Sequence, residues 1–163
     1  MEHENNDALS DGDELNLDKQ LCFGLYAASH AMTKAYRPYL KELGLTYPQL
    51  LVMMALWERD ALTVSALGEM LLLDSGTLSP LLKRLESAGL VQKTRQKQDE
   101  RQVRVTLTPA GSSLRSGAAE MRRKIVCALG MSAEEVAQMR AELNAIMKTL
   151  SQDSGERFAM AAE

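Results

Sequence analysis

The sequence predicts a mainly α-helical fold carrying one small β-hairpin, and three observations predict it. Apolar residues recur at intervals of three and four through most of residues 17–150, the pattern of amphipathic helices. The period falls to two only in LVQKTRQ and RQVRVTLT, which flank KQDE, the pattern of two half-buried strands and a charged tip. Gly44, Gly89, Thr108-Pro109 and Ser132 punctuate these runs where helix stops and caps belong.

Composition sets the outer limits. The chain has 163 residues, 45% hydrophobic and 25% charged, enough for one ordinary domain with extensions and too apolar for wholesale disorder. No run of about 18 apolar residues occurs, so no membrane span is expected. The start, MEHENNDALSDGDELNLD, lacks the basic and apolar regions of a signal peptide, so a cytoplasmic location is expected. There, two cysteines are not a structural framework; a disulfide would be transient, catalytic or sensory.

The elements follow in order. Residues 1–16 read as an acidic, disordered tail. Leu17, Leu21, Leu25, Ala28 and Met32 form one helical stripe, and Cys22 and Tyr26 are i, i+4 neighbours beside it. Pro38 permits only a kink or a break near Arg37, so a short second helix is expected to end at Gly44 as a left-handed cap. Thr46-Tyr47-Pro48 opens a helix through LLVMMALWER, apolar on nearly every side and therefore buried. TVSALGEMLLL gives a helix over about 63–71, and DSGTLSPLLKRLESAG another over about 74–88. Pro80 fits the latter if the helix begins at Ser75 to Thr77. After the hairpin, Thr108-Pro109 caps a helix with Leu114, Ala118, Met121 and Ile125 in register. Ser132 with Glu135 makes a capping box for the last helix, with Val136, Met139, Leu143, Ile146 and Leu150 in register. Residues 151–163 are expected to fray.

Helix, helix and β-hairpin in that order is the layout of a winged helix-turn-helix, here residues 46–108, whose second helix enters the major groove while the wing reaches phosphates or the minor groove. The charge distribution agrees. The net charge is −3, yet residues 83–104 hold seven basic residues against three acids, the footprint of a local phosphate-binding surface. The second helix offers Ser75, Thr77, Ser79, Lys83 and Arg84 to DNA, its hydroxyls near a helix N-terminus suiting phosphates and base edges. The wing offers Arg95 and Arg101, with Asp99 placed either to orient Arg101 or simply as a turn residue. The helical stretches 17–45 and 109–150 are long and heptad-like, so they are expected to form a homodimer that binds a pseudo-palindromic double-stranded site.

Catalytic and metal constellations are weak. His3 and His30 are far apart, no Cys/His cluster has zinc spacing, and no Gly-rich phosphate loop occurs. No metal or cofactor is expected, and His30 reads as a polar face residue. Cys22 reads either as core packing, since free Cys is among the most buried residue types, or as a reactive thiol. Reaction with a peroxide needs a thiolate, which tyrosine hydroxyls can favour by hydrogen bonding. All four tyrosines lie within residues 26–47. Cys127 points away from its own helix's apolar seam, so two thiols on dimer-type helices have the chance to meet across a subunit boundary.

LDKQLCFGLY, LTYPQLLVMMALWE, LDSGTLSPLLKRLE, DERQVRVTLT and the spacing of Tyr36 and Tyr47 resemble the organic hydroperoxide resistance regulator (OhrR) branch of the MarR-type repressors, from Leu17 through Leu150. The resemblance implies a homodimeric repressor, not an enzyme, whose reduced form holds operator DNA. It implies that Cys22 senses organic hydroperoxide and that Tyr36 and Tyr47 of the other subunit, with Tyr26, hydrogen-bond its thiolate. It further implies that Cys127 resolves the oxidised sulfur as an intersubunit disulfide, as in the two-Cys subgroup, and that Asp99 and Arg101 form the wing pair. One departure is Gly24, where the branch more often has a small side chain such as Ala; glycine there lowers helix stability by roughly 0.5–1 kcal/mol. Two other functions compete: a MarR-type repressor released by a bound phenolic ligand, and a thiol peroxidase.

Overall fold

A computed structural model of the chain describes residues 15–96 and 99–160, and the side chains of residues 15–95 and 102–151. Most of the expected acidic tail, residues 1–14, lies outside the described residues, as do Lys97 and Gln98 at the wing tip and residues 161–163.

A single turn of 3₁₀ helix, Leu17–Lys19, leads through extended Gln20 into α1, Leu21–Leu43. The expected break at Pro38 is absent: α1 runs through it in one piece and ends at Gly44, in the left-handed conformation at φ 67°. Proline this deep in a helix forfeits one backbone bond, to the carbonyl of Lys34. Lys34 and Pro38 are both exposed, so water can take that carbonyl. Beyond it, Leu40 and Leu45 are buried and hold the last turn.

Helix α2, Tyr47–Glu58, carries the capping box that stops its N-terminus from fraying, with the Gln49 side chain accepting from the Thr46 N–H at 2.8 Å. Its apolar character all round is matched by burial of Leu50, Val52, Met53, Ala55 and Leu56. Strand β1, Leu62–Thr63, is an element without a sequence signal. Thr63 then caps α3, Val64–Leu71, accepting from Ala66 N–H at 3.1 Å. Helix α4, Ser75–Ser87, begins where Pro80 requires. The wing consists of β2, Val91–Gln96, and β3, Asp99–Leu107. Its three-stranded antiparallel sheet has the order β1-β3-β2, pairing Leu62 with Val105 and Val91 with Leu107. Leu62, Leu67, Leu78, Leu82, Leu85, Val91 and Val105 turn inward together as the core under the wing.

Helix α5, Pro109–Leu129, starts at the expected cap: Thr108 Oγ1 accepts from Gly111 N–H at 3.0 Å and donates to the Gly89 carbonyl at 2.6 Å. Gly111 is buried against the Leu90 carbonyl, and its own carbonyl accepts from Trp57 Nε1 at 3.0 Å. Helix α6, Ala133–Met160, opens on the Ser132–Glu135 capping box, with bonds of 2.7 and 3.2 Å. The backbone of α6 is helical as far as Met160, past the expected limit at residue 150. Gly155 lowers propensity without stopping a helix, and no proline follows Pro109 in the sequence. The chain divides into two compact units, one ending at Met121 and the other starting at Arg122. The first contains α1 and the start of α5 as well as the winged module, unlike the expected boundaries at 45/46 and 108/109. The burial of Leu40 and Leu45 and the close approach of Gly111 to Leu90 explain why.

Candidate DNA interface and thiol site

Helix α4 presents Ser75, Thr77, Ser79, Lys83 and Arg84, all exposed, while Leu78, Leu82 and Leu85 anchor its opposite side. Asp74, which the sequence reading passed over, caps this helix. Its carboxylate accepts from the Thr77 N–H at 2.9 Å and from the Thr77 hydroxyl at 2.8 Å. These bonds, the hydroxyl's first, hold the Asp74 carboxyl below the ordinary aspartate range. A hydroxyl has one proton, so Thr77 faces outward as an acceptor and a methyl group rather than as a phosphate donor. Its D-x-x-T spacing was the available signal.

The wing sorts its cations. Lys93 sits 2.9 Å from Glu86 and lowers that carboxyl's pKa through a hydrogen bond. Arg104 donates to the Ala61 carbonyl. Arg95 is exposed on β2. The backbones of Asp99 and Arg101 lie in β3, and their side chains lie outside the described residues. A cleft of about 500 Å³ between α3, α4 and the wing is lined by Ser65, Ser79, Leu82, Lys93 and Gln102 among others.

Cys22 is an exposed free thiol on α1, not a core residue. Tyr26, one turn on, is 59% exposed and has two rings near it. Its ring centroid lies 6.3 Å from that of Phe23 and 4.2 Å from that of His30. Tyr36 on α1 and Tyr47 on α2 meet edge to face at 5.3 Å, so the structure brings two of the predicted phenols together. It does not bring them to Cys22 of the same chain: fourteen residues of α-helix separate Cys22 from Tyr36, about 21 Å along the axis. Cys127 is exposed on α5, within the second compact unit. Among the described residues no group of His, Cys, Asp and Glu is arranged to hold a metal ion, and no helix is long and apolar enough to cross a membrane.

A helix-turn-helix with an exposed, partly basic second helix and a hairpin wing defines a winged-helix DNA-binding regulator. Residues 34–117 match the family model of the transcriptional regulators SarA/Rot. The chain is 44% identical over 140 residues to the organic hydroperoxide resistance transcriptional regulator of Bacillus subtilis (strain 168), covering 86% of this chain and 95% of that one. Among solved structures it is similar to AbfR of Staphylococcus epidermidis, with a TM-score of 0.73 and 36% identity over 86% of this chain and 97% of that one. Reduced AbfR bound to DNA gives a TM-score of 0.71 at 36% identity, over 85% and 97%. Disulfide-formed AbfR gives 0.60 at 33% identity, over 86% and 94%. The chain belongs to the SarA/Rot–MarR family of winged-helix transcriptional regulators.

Proposed function

We propose that the protein is a cytoplasmic, peroxide-sensing repressor of the two-Cys type. Its reduced homodimer binds operator DNA through residues 46–108 and lets go when an organic hydroperoxide oxidises Cys22. The observation that carries this reading is the setting of Cys22. The thiol is exposed on a stretch of chain whose Leu17, Leu21 and Leu25 are 59%, 66% and 37% exposed, and an uncovered apolar face of that kind marks an interaction surface. A second copy seated there would cover the leucines and bring its own Tyr36–Tyr47 pair to a thiol that cannot reach the pair in its own chain. Exposed Met139, Leu143, Met147 and Leu150 on α6 support the same assembly. Two of the solved states of AbfR, reduced on DNA and disulfide-formed, support the chemistry; overoxidised AbfR is also bound to DNA, so release is assigned to the disulfide and not to oxidation of the sulfur alone.

In the first step the Cys22 thiolate attacks the terminal peroxide oxygen and the O–O bond breaks. The alkoxide leaves and takes up a proton, giving sulfenic acid and an alcohol; the sulfur loses the two electrons that the peroxide gains. In the second, the Cys127 thiolate of the partner attacks the Cys22 sulfur, and the hydroxide released is protonated to water. A disulfide needs Cα atoms within about 7 Å, so closing it from any larger separation moves the helices that carry the thiols and with them the spacing of the two α4 helices. Leu21, Phe23 and Leu25 around Cys22 favour alkyl peroxides over hydrogen peroxide.

Non-reducing electrophoresis after one equivalent of cumene hydroperoxide tests the pairing. The wild type gives a covalent dimer that Cys22→Ser and Cys127→Ser do not; no dimer in the wild type removes Cys127 from the mechanism. Stoichiometric rather than catalytic peroxide consumption separates a sensor from a thiol peroxidase. A second reading, release by a phenolic ligand, is favoured by the cleft beside α4; it requires Cys22→Ser to respond to a phenol as the wild type does.

A further inference from the structure

We infer that His30 is a positioning residue for the oxidation of Cys22, acting through Tyr26. The inference rests on the proposed role of Cys22 and adds to it a residue that takes no part in the chemistry. Side chains on an α-helix lean toward its N-terminus, so each covers the turn before its own. Tyr26 therefore leans over the turn that holds Cys22, and His30 leans over the turn that holds Tyr26. The contacts follow that order. The His30 ring lies 4.2 Å from the Tyr26 ring at an interplanar angle of 39°, and the Phe23 ring lies 6.3 Å from it at 25°.

His30 is itself tethered. Its Nδ1 is 3.2 Å from the Tyr26 carbonyl, and a carbonyl only accepts, so Nδ1 carries the proton in that bond. The tether fixes the imidazole plane, and the fixed plane limits where the phenol can swing. Tyr26 is 59% exposed, and an exposed tyrosine on a helix samples more than one χ1 well. The tethered His30 ring, 4.2 Å away, favours the well in which the hydroxyl is carried toward the Cys22 turn.

The test is the rate at which the full-length protein's Cys22 reacts with cumene hydroperoxide, followed by loss of titratable thiol in the Cys127→Ser background so that only one sulfur reports. His30→Ala slows this reaction by about 2- to 10-fold, the weight of one aromatic stacking contact. His30→Phe, which keeps a ring at the position but loses the Nδ1 tether, restores only part of the rate. In Tyr26→Phe the hydroxyl to be positioned is gone, so adding His30→Ala brings no further slowing. A merely structural role for His30 would slow both backgrounds alike. Wild-type rates in His30→Ala, or equal slowing with and without the Tyr26 hydroxyl, would overturn the inference. Failure of the underlying reading looks different: no peroxide-dependent thiol loss at Cys22 in any variant.

Discussion

Removing the charges of Lys83 and Arg84 should flatten the salt dependence of DNA binding, whereas removing those of Lys93 and Arg104 should leave it in place. The two pairs carry the same formal charge and lie in the same 22-residue stretch, but the structure treats them differently. Lys83 and Arg84 are exposed on α4. Lys93 is held 2.9 Å from Glu86, so its charge is already compensated, and the Arg104 guanidinium is turned back onto the Ala61 carbonyl. Each phosphate neutralised contributes about −0.9 to the slope of log Kobs against log salt. Two contacts per protomer make four in the proposed homodimer, so Lys83→Ala with Arg84→Ala lowers the steepness by about 3.6. Over a fourfold salt increase the wild type then loses roughly 150-fold more affinity than the variant. Fluorescence anisotropy with a labelled duplex from the DNA upstream of the gene, at four salt concentrations, measures the slope directly. Lys93→Ala with Arg104→Ala should stay within about 0.5 of the wild-type slope. Equal flattening by both pairs, or none by the first, would refute the assignment of the DNA-facing surface to α4.

Other expectations follow from single positions. Gly111→Ala drives a methyl group into the Leu90 carbonyl and against Met53; backbone cannot give way as a flexible side chain does, so the cost is about 3 kcal/mol, seen as a fall in Tm of roughly 6–12 °C. Leu72 caps α3 in the left-handed region at φ 54° while 78% exposed, so Leu72→Gly should raise stability by up to about 1 kcal/mol in urea unfolding. Asp74 has its folded-state pKa depressed below 3.8 by Thr77. Its contribution is therefore present above the unfolded value and is lost as pH falls below about 3.8 through the folded one. The Tm advantage of the wild type over Asp74→Ala should accordingly persist at pH 5 and disappear toward pH 2.

Much of this architecture is legible in the sequence, and the parts that are not share a physical reason. Thr108-Pro109, Ser132 with Glu135, and Gly44 are local devices that act within one turn, and each sits at the helix end it signalled. Pro38 misleads because its cost is one bond while buried Leu40 and Leu45 decide the helix beyond it. Strand β1 is two residues long and exists only because β3 offers an edge to Leu62; no periodicity announces an element of that size. At the site, residue identities were legible and partnerships were not. Lys93 counts as one more positive charge until α4 and β2 bring Glu86 beside it. Cys22 next to Leu21 and Phe23 reads slightly more readily as packing than as chemistry until the fold leaves it exposed. The i, i+4 spacing of Tyr26 and His30 was visible, but only the 4.2 Å ring distance gives His30 something to do.

The central claim, that one sulfur on α1 controls the grip of α4 on DNA, reduces to a single titration. The reduced protein is bound to its labelled upstream duplex, and anisotropy is followed as cumene hydroperoxide is added to one equivalent per chain. The account predicts release of the wild type and undiminished binding by Cys22→Ser, which should hold DNA in the absence of peroxide as tightly as the wild type does. Release of Cys22→Ser at the same peroxide dose, or retention of DNA by wild type whose Cys22–Cys127 disulfide is shown to have formed, would contradict it.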